Sequence, residues 1–194
     1  MIILPQRFYQ DRPDNVARKL LGKILVRIYI GQRLSGMIVE TEAYFGPEDP
    51  ASRARRGGNL ARAMASQPGI ALVYGIHRQW LLNVVAHPPG GVGAILIRAI
   101  QPLEGIDVMK RLRKVNDLRQ LTNGPGKLTR ALAVDKSFHG KPLYSKETGL
   151  WIEDYMNVPV SKVARSGRIG VTEDLEEPYR FYIVDNPFVS VKKR

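Results

Sequence analysis

KILVRIYIGQRLSGMIVETEAY, residues 23–44, carries the clearest strand–turn–strand pattern in the chain. Residues 23–29 are rich in β-branched and aromatic side chains, Gly31-Gln32 supplies a turn, and residues 34–44 read as the returning strand of a hairpin. Side chains alternate along that second strand. Ile38, Glu40, Glu42 and Tyr44 therefore share one face, and Met37, Val39, Thr41 and Ala43 the other. The second set is small and largely apolar, as a core-facing side should be. The first lines up two carboxylates and a phenol where the strand leaves the sheet. As structure alone this is a solvated strand face; as chemistry it is a pair of acids with a task.

Working outward, Asp14 is placed to cap a short helix over residues 15–21, with Val16 and Leu20 one turn apart on its apolar face. Residues 45–69 dissolve into Gly, Pro, Arg and Ala, with a short helix predicted at 60–66. So long an excursion suits a binding loop. Strand patterns return at 70–74, 80–86 and 94–100. Residues 103–112 are predicted helical, and a second helix follows Gly124-Pro125, whose proline fits a first helical turn. Short strands are predicted at 150–153, 158–163 and 181–184. Hairpin-linked strands with bunched helices indicate an α+β fold, one domain over residues 1–194, with an antiparallel sheet and peripheral helices.

Charge narrows the partner. Thirty Lys and Arg against eighteen Asp and Glu give +12 and a sequence pI near 10.1. Such an excess draws a polyanion and makes binding salt-dependent, although a solubility device gives the same total. The clustering of Arg53, Arg55, Arg56 and Arg62 in the excursion favours nucleic acid. Cysteine is absent, no apolar run approaches a membrane span, and the opening residues carry no secretory-signal pattern. These features predict a soluble cytoplasmic protein, nucleoid-associated in a prokaryote. Neither G-x-G-x-x-G nor a P-loop is present, which argues against a nucleotide cofactor.

Carboxylates on a polyanion-binding surface need a reason. Hydrolysis of an N-glycosidic bond supplies one, because a carboxylate both stabilises an oxocarbenium-like sugar and orients or deprotonates water. VETEAYFGPEDPAS, PGIALVY, Asn83, ILIRAIQPLEG, NGPGKLTRAL and the closing RIGV and RFYIVDNPFVSV together resemble the alkyladenine (3-methyladenine) DNA glycosylase family, from Phe8 to Val191. The resemblance implies a mixed fold on a curved antiparallel sheet and a monofunctional glycosylase without metal or organic cofactor. Such an enzyme works as a monomer on duplex DNA containing alkylated or deaminated purines. It implies Glu42 as general base, with Glu40 matching the first glutamate of the motif and given no chemistry. Arg98 and the carbonyl of Ile169 match groups that hold the water. Tyr44 and Tyr74 match the aromatics that sandwich an extruded base, and Asn83 the amide that rejects normal purines. Each has a plainer reading: Tyr74 as core, Asn83 as a ladder residue, Arg98 as an ion-pair partner.

The sequence departs from its relatives at three places. Arg53 stands where a pocket histidine is usual; it can donate to a base acceptor or turn outward to phosphate. The tyrosine that usually fills the gap left by the flipped nucleotide is replaced by His77, with Ile76 as the alternative. The excursion lacks the usual Thr-x-Arg-Asn and Met-Phe. Arg55, Arg56, Arg62 and Lys127 are candidate contacts to the DNA backbone. No lysine lies between Lys23 and Lys110, so no Schiff-base nucleophile is expected among the pocket residues. Two competing readings remain: a non-enzymatic nucleic-acid binder of the same fold, and a metal-dependent nuclease using Glu40, Glu42 and Asp49.

Overall fold

The computed structural model describes residues 1–190; Val191, the last residue of the resembling span, lies outside them. β1 (Ile24–Tyr29) and β2 (Gln32–Tyr44) form the expected hairpin, paired from Ile24 with Met37 to Tyr29 with Gln32. Its turn is Ile30-Gly31, one residue earlier than the sequence suggests, with both residues at positive φ (48° and 74°). That geometry matches the twist of the flanking strands.

α1 (Pro13–Leu20) starts at Pro13, so Asp14 sits in its first turn and makes no cap, contrary to expectation. Its buried Val16, Ala17 and Leu20 pack against the hairpin. The excursion holds a 3-10 turn over Arg53–Arg56 and α2 (Gly58–Met64), which begins two residues ahead of the predicted helix. β3 (Ala71–Ile76), β4 (Gln79–Val85) and β5 (Ala94–Glu104) follow. The helix expected from residue 103 is shorter, because β5 runs through Glu104 and Gly105 breaks the chain at φ 71°. α3 occupies Ile106–Arg113 and α4 Pro125–Ala131, the latter starting at the proline as predicted. β6 (Leu150–Glu153) lies where expected. Residues 158–163 do not form a strand; a 3-10 turn over Val160–Lys162 leads into β7 (Val163–Ser166), and β8 (Arg180–Ile183) closes the sheet.

The fold is α+β. Eight strands pair antiparallel in the order β3-β4-β5-β2-β1-β6, with β8 also on β2 and β7 on β8. The long β2 carries β5 along one edge. On its other edge β1 takes the first half and β8 pairs with Glu40–Glu42. Two register shifts interrupt the β2–β5 ladder on either side of Glu40. Ile38 pairs with Ile100 and Glu40 with Ala99, so β2 gains a residue; Glu40 then pairs with Ala99 and Thr41 with Ile97, so β5 gains Arg98. Such bulges re-aim side chains. Ile38 and Ala43 consequently share the main core while Val39 packs on the opposite side with Ala99 and Phe188. Strict alternation, which put Val39 with Ala43, fails here. No helix among the described residues is long and apolar enough to cross a membrane.

Candidate active site

Glu40 and Glu42 are both fully buried (0% exposed), so their face is not a solvated one. The paired bulges bring Glu40 against Arg98, whose Nε donates to it at 3.0 Å. Arg180 Nε from β8 donates at 2.7 Å, and Ser190 gives both its amide (2.6 Å) and its hydroxyl (2.7 Å). Every Glu40 oxygen is thus engaged by structure, which suits a buried charge.

Glu42 is held differently. Its Oε1 accepts the Ile169 amide at 2.7 Å, its Oε2 accepts the Tyr44 hydroxyl at 2.8 Å, and Arg98 Nη1 lies at 3.3 Å. Burial pushes the Glu42 carboxyl above the ordinary glutamate value, a tendency that Arg98, the Ile169 amide and Tyr44 oppose and Glu40 reinforces. Burial and the adjacent Glu42 charge raise the Tyr44 phenol well above its normal value, so it stays a donor.

In front of this group opens a cleft of about 680 Å³. Tyr44, Tyr74, Asn83, Arg98 and Ile169 line it, as do Arg53, Arg56, Ile76, His77 and Lys127. Glu42 does not line the cleft itself; it is hydrogen-bonded to two residues that do, Tyr44 and Ile169. Both tyrosines rest on a small core of Ala54, Met64, Leu72, Val85 and Ala94 under the excursion. That loop is tied down by Ser52, whose hydroxyl donates to the Phe45 carbonyl at 2.6 Å, and by Asp49, which accepts the Phe45 and Ala51 amides. Asn83 Nδ2 donates to the Leu72 carbonyl at 3.1 Å, which fixes the amide plane. The arrangement offers a buried carboxylate, two aromatic walls and a basic rim.

A sequence model of the Methylpurine-DNA glycosylase (MPG) family matches residues 7–187. The chain belongs to the methylpurine-DNA glycosylase family. It is similar to a protein of Aeropyrum pernix named "Putative 3-methyladenine DNA glycosylase", 52% identical over 97% of this chain and 93% of its own length. Proteins of the same name in Gloeobacter violaceus and Chlorobaculum parvum are 39% and 40% identical, over 94% and 98% of this chain and 84% and 91% of theirs. As a member of the family, the chain is a DNA glycosylase, a hydrolase of N-glycosyl bonds that acts on DNA in base repair.

The structure of this methylpurine-DNA glycosylase separates the candidate residues. The Arg53 guanidinium lies 5.5 Å from the centroid of the Tyr74 ring, turned into the cleft. Burial raises the Tyr74 phenol, and Arg53 pulls it back. His77 and Arg78 form the tip of the β3–β4 hairpin, both at positive φ (49° and 61°). Arg55 and Arg62 stand outside the cleft lining: Arg55 reaches Glu173 at 3.6 Å and Arg62 bonds Asn59. Lys127 does line the cleft, contrary to the expectation that no lysine lies among the pocket residues, because the pocket also draws on the start of α4. Its Nζ is held by the Gln120 and Asn123 side-chain oxygens at 2.8 and 2.7 Å.

Residue-by-residue reading missed Arg168. Its side chain is wholly buried, bonds Asp49 through both Nη atoms (2.6 and 2.7 Å), reaches Asp174 and the Ala43 carbonyl, and stacks 4.6 Å from the Tyr44 ring centroid. It fixes the Ile169 amide and the back of Tyr44 together. The nearest signal was its position beside Ile169 in RIGV. Asp49, considered only as a metal ligand, belongs to this pair. Two arginines occupy Glu40 and one occupies Asp49, so these carboxylates do not converge on a cation site. Among the described residues no group of three or more His, Asp or Glu side chains is placed to hold a metal ion.

Proposed function

We propose that this glycosylase extrudes an alkylated or deaminated purine nucleotide from duplex DNA into the cleft and hydrolyses its glycosidic bond with a water activated by Glu42. The observation that carries this reading is the Glu42 carboxylate, fully buried and gripped by Tyr44, Ile169 and Arg98, three residues that line a 680 Å³ cleft. Burial keeps it basic, and the three donors fix where its lone pairs point.

Glu42 accepts a proton from the water, whose oxygen bonds to the sugar C1′. The C1′–N bond breaks with its electron pair passing to the base; in a cationic alkylpurine that pair cancels the positive charge, and a neutral deaminated purine takes up a proton as it leaves, equal to the one Glu42 drew from the water. Arg98 and the Ile169 carbonyl hold the water. Tyr44 and Tyr74 stack on the base, worth about 1–3 kcal/mol per base and tolerant of varied lesions. The anchored Asn83 amide rejects guanine by meeting its exocyclic amine. His77, at the hairpin tip, fills the place the nucleotide leaves. The reaction ends at an intact abasic strand; among the described residues the one amine that lines the cleft, Lys127, is engaged by the Gln120 and Asn123 side-chain oxygens.

The test is single-turnover excision of a neutral lesion, hypoxanthine, by Glu42→Gln. Loss of a positioned base lowers the rate by at least about 10²-fold, with binding retained. Near-wild-type excision overturns the assignment. Borohydride trapping of a protein–DNA adduct overturns the monofunctional part.

A further inference from the structure

Across the β3–β4 hairpin lies a second cleft, of about 480 Å³. Leu81 and Asn83 line the first cleft and Trp80 the second, so alternate side chains of β4 face the two. His77, Gln79, Gly126 and Lys127 border both, which makes the hairpin tip and the start of α4 the partition between them. The partition is fastened: Thr129 Oγ1 donates to the Trp80 carbonyl at 2.8 Å. At Gly126 a Cβ would meet the end of the Gln79 side chain, which shows how closely α4 approaches the hairpin.

Four cations converge on the second cleft: Arg78, Arg113, Lys127 and Arg130. Elsewhere Arg12, Lys19, Arg33 and Arg55 have a carboxylate at ion-pair distance, while Arg111, Lys114 and Lys162 have none among the described residues; what distinguishes Arg78, Arg113, Lys127 and Arg130 is that they line one cleft. None of these four has a carboxylate at that distance among the described residues. Arg113 donates instead to the Leu121 and Gln120 carbonyls (3.1 and 3.3 Å), and Lys127 to its two amide oxygens. Neutral acceptors orient both without cancelling their charge. The repulsion registers: burial and Arg130 lower the pKa of Arg113, and burial and Arg113 lower that of Lys127. Held apart from any acid, such a cluster is stabilised by a bound anion.

We propose that this second cleft binds backbone phosphates of the strand opposite the lesion, with the hairpin tip passing between the two strands. The proposal rests on the reading that the damaged nucleotide enters the first cleft. A tip inserted into a duplex has one strand on each flank; the first cleft takes the lesion strand, so the second faces its partner. The cleft then recognises duplex over single-stranded DNA.

Arg130→Gln tests this, since Arg130 is exposed and its side chain makes no hydrogen bond or ion pair among the described residues, leaving the fold indifferent to the change. Affinity is measured against salt for a duplex carrying an uncleavable abasic analogue, and for the lesion strand alone. On the duplex the variant should flatten the salt slope by about one unit and bind about three- to tenfold more weakly. On the single strand it should match wild type. Methylphosphonate linkages in the opposite strand should weaken wild type by a similar factor and leave Arg130→Gln unaffected. An unchanged slope, equal loss on both substrates, or coupling only to lesion-strand phosphates overturns the proposal. Binding needs no base release, so an error about Glu42 would show in excision while this pattern stood.

Discussion

Glu40 and Glu42 are two residues apart and equally buried, yet their surroundings divide them. Glu40 has four donors from Arg98, Arg180 and Ser190, and Glu42 faces the cleft wall with a carboxyl made more basic by burial. As a base Glu42 must be ionised. Single-turnover excision of hypoxanthine should therefore fall as pH drops through its raised pKa, giving an acid limb above the ordinary value of 4.5. A limb at or below that value contradicts the assignment. The same shift has a sign in stability: the native state holds this proton more tightly than the unfolded chain, so this group's contribution declines as pH rises from the ordinary value through the raised one. Arg53 sets a second residue-scale expectation. Turned toward Tyr74, its guanidinium should donate to the O6 of hypoxanthine and be mismatched by ethenoadenine. One mispaired buried polar group costs about 1–3 kcal/mol, roughly ten- to a hundredfold in rate. Arg53→His should shrink the hypoxanthine preference by that order in competition assays. A uniform loss of DNA affinity with an unchanged ratio would identify a phosphate contact instead.

The β3–β4 hairpin is the element on which the proposed extrusion would turn. Its two-residue tip places His77 and Arg78 in the left-handed region, at about 1–2 kcal/mol per non-glycine residue. Asn-Gly would relieve that strain, so the tip carries side chains where folding alone prefers none. His77→Gly should leave the melting temperature equal or higher. It should lower excision from fully paired duplex about tenfold, since opening a base step costs a few kcal/mol that the tip offsets, and spare excision from an unpaired lesion. Equal effects on both substrates, or none, would remove His77 from the wedge role. Ile76, last paired residue of β3, is the control.

On the scale of the whole molecule, distant segments meet at Glu40. Arg98 comes from β5, Arg180 from β8 and Ser190 from near the end of the described chain. Removing one member of such a group strands buried charge, typically about 3–5 kcal/mol. Glu40→Gln should lower the urea midpoint accordingly with an unchanged m value. Ser190→Ala, which keeps the amide donor, should cost about 1 kcal/mol. A Glu40→Gln protein as stable as wild type would mean that this closure does not hold the site together.

The sequence by itself determined the hairpin at its centre, the helix at Pro125, the antiparallel class and the family, because periodicity, turn chemistry and motif order are local properties. It also named most of the cleft: Tyr44, Tyr74, Asn83, Arg98 and Ile169 do meet. Tertiary structure decided the rest. Strict alternation placed Val39 with Ala43; the paired bulges separate them and bring Glu40 to Arg98, and a one-residue insertion in a ladder leaves no mark in a single strand's pattern. Helix starts moved because Gly105 and Pro13 act through backbone geometry rather than apolar spacing. Arg168 and Asp49 lie 119 residues apart, and nothing in the sequence links them until folding buries them as one pair. The second cleft was hidden for the same reason: charge is written along the chain, but the field it makes depends on which cations the fold brings together.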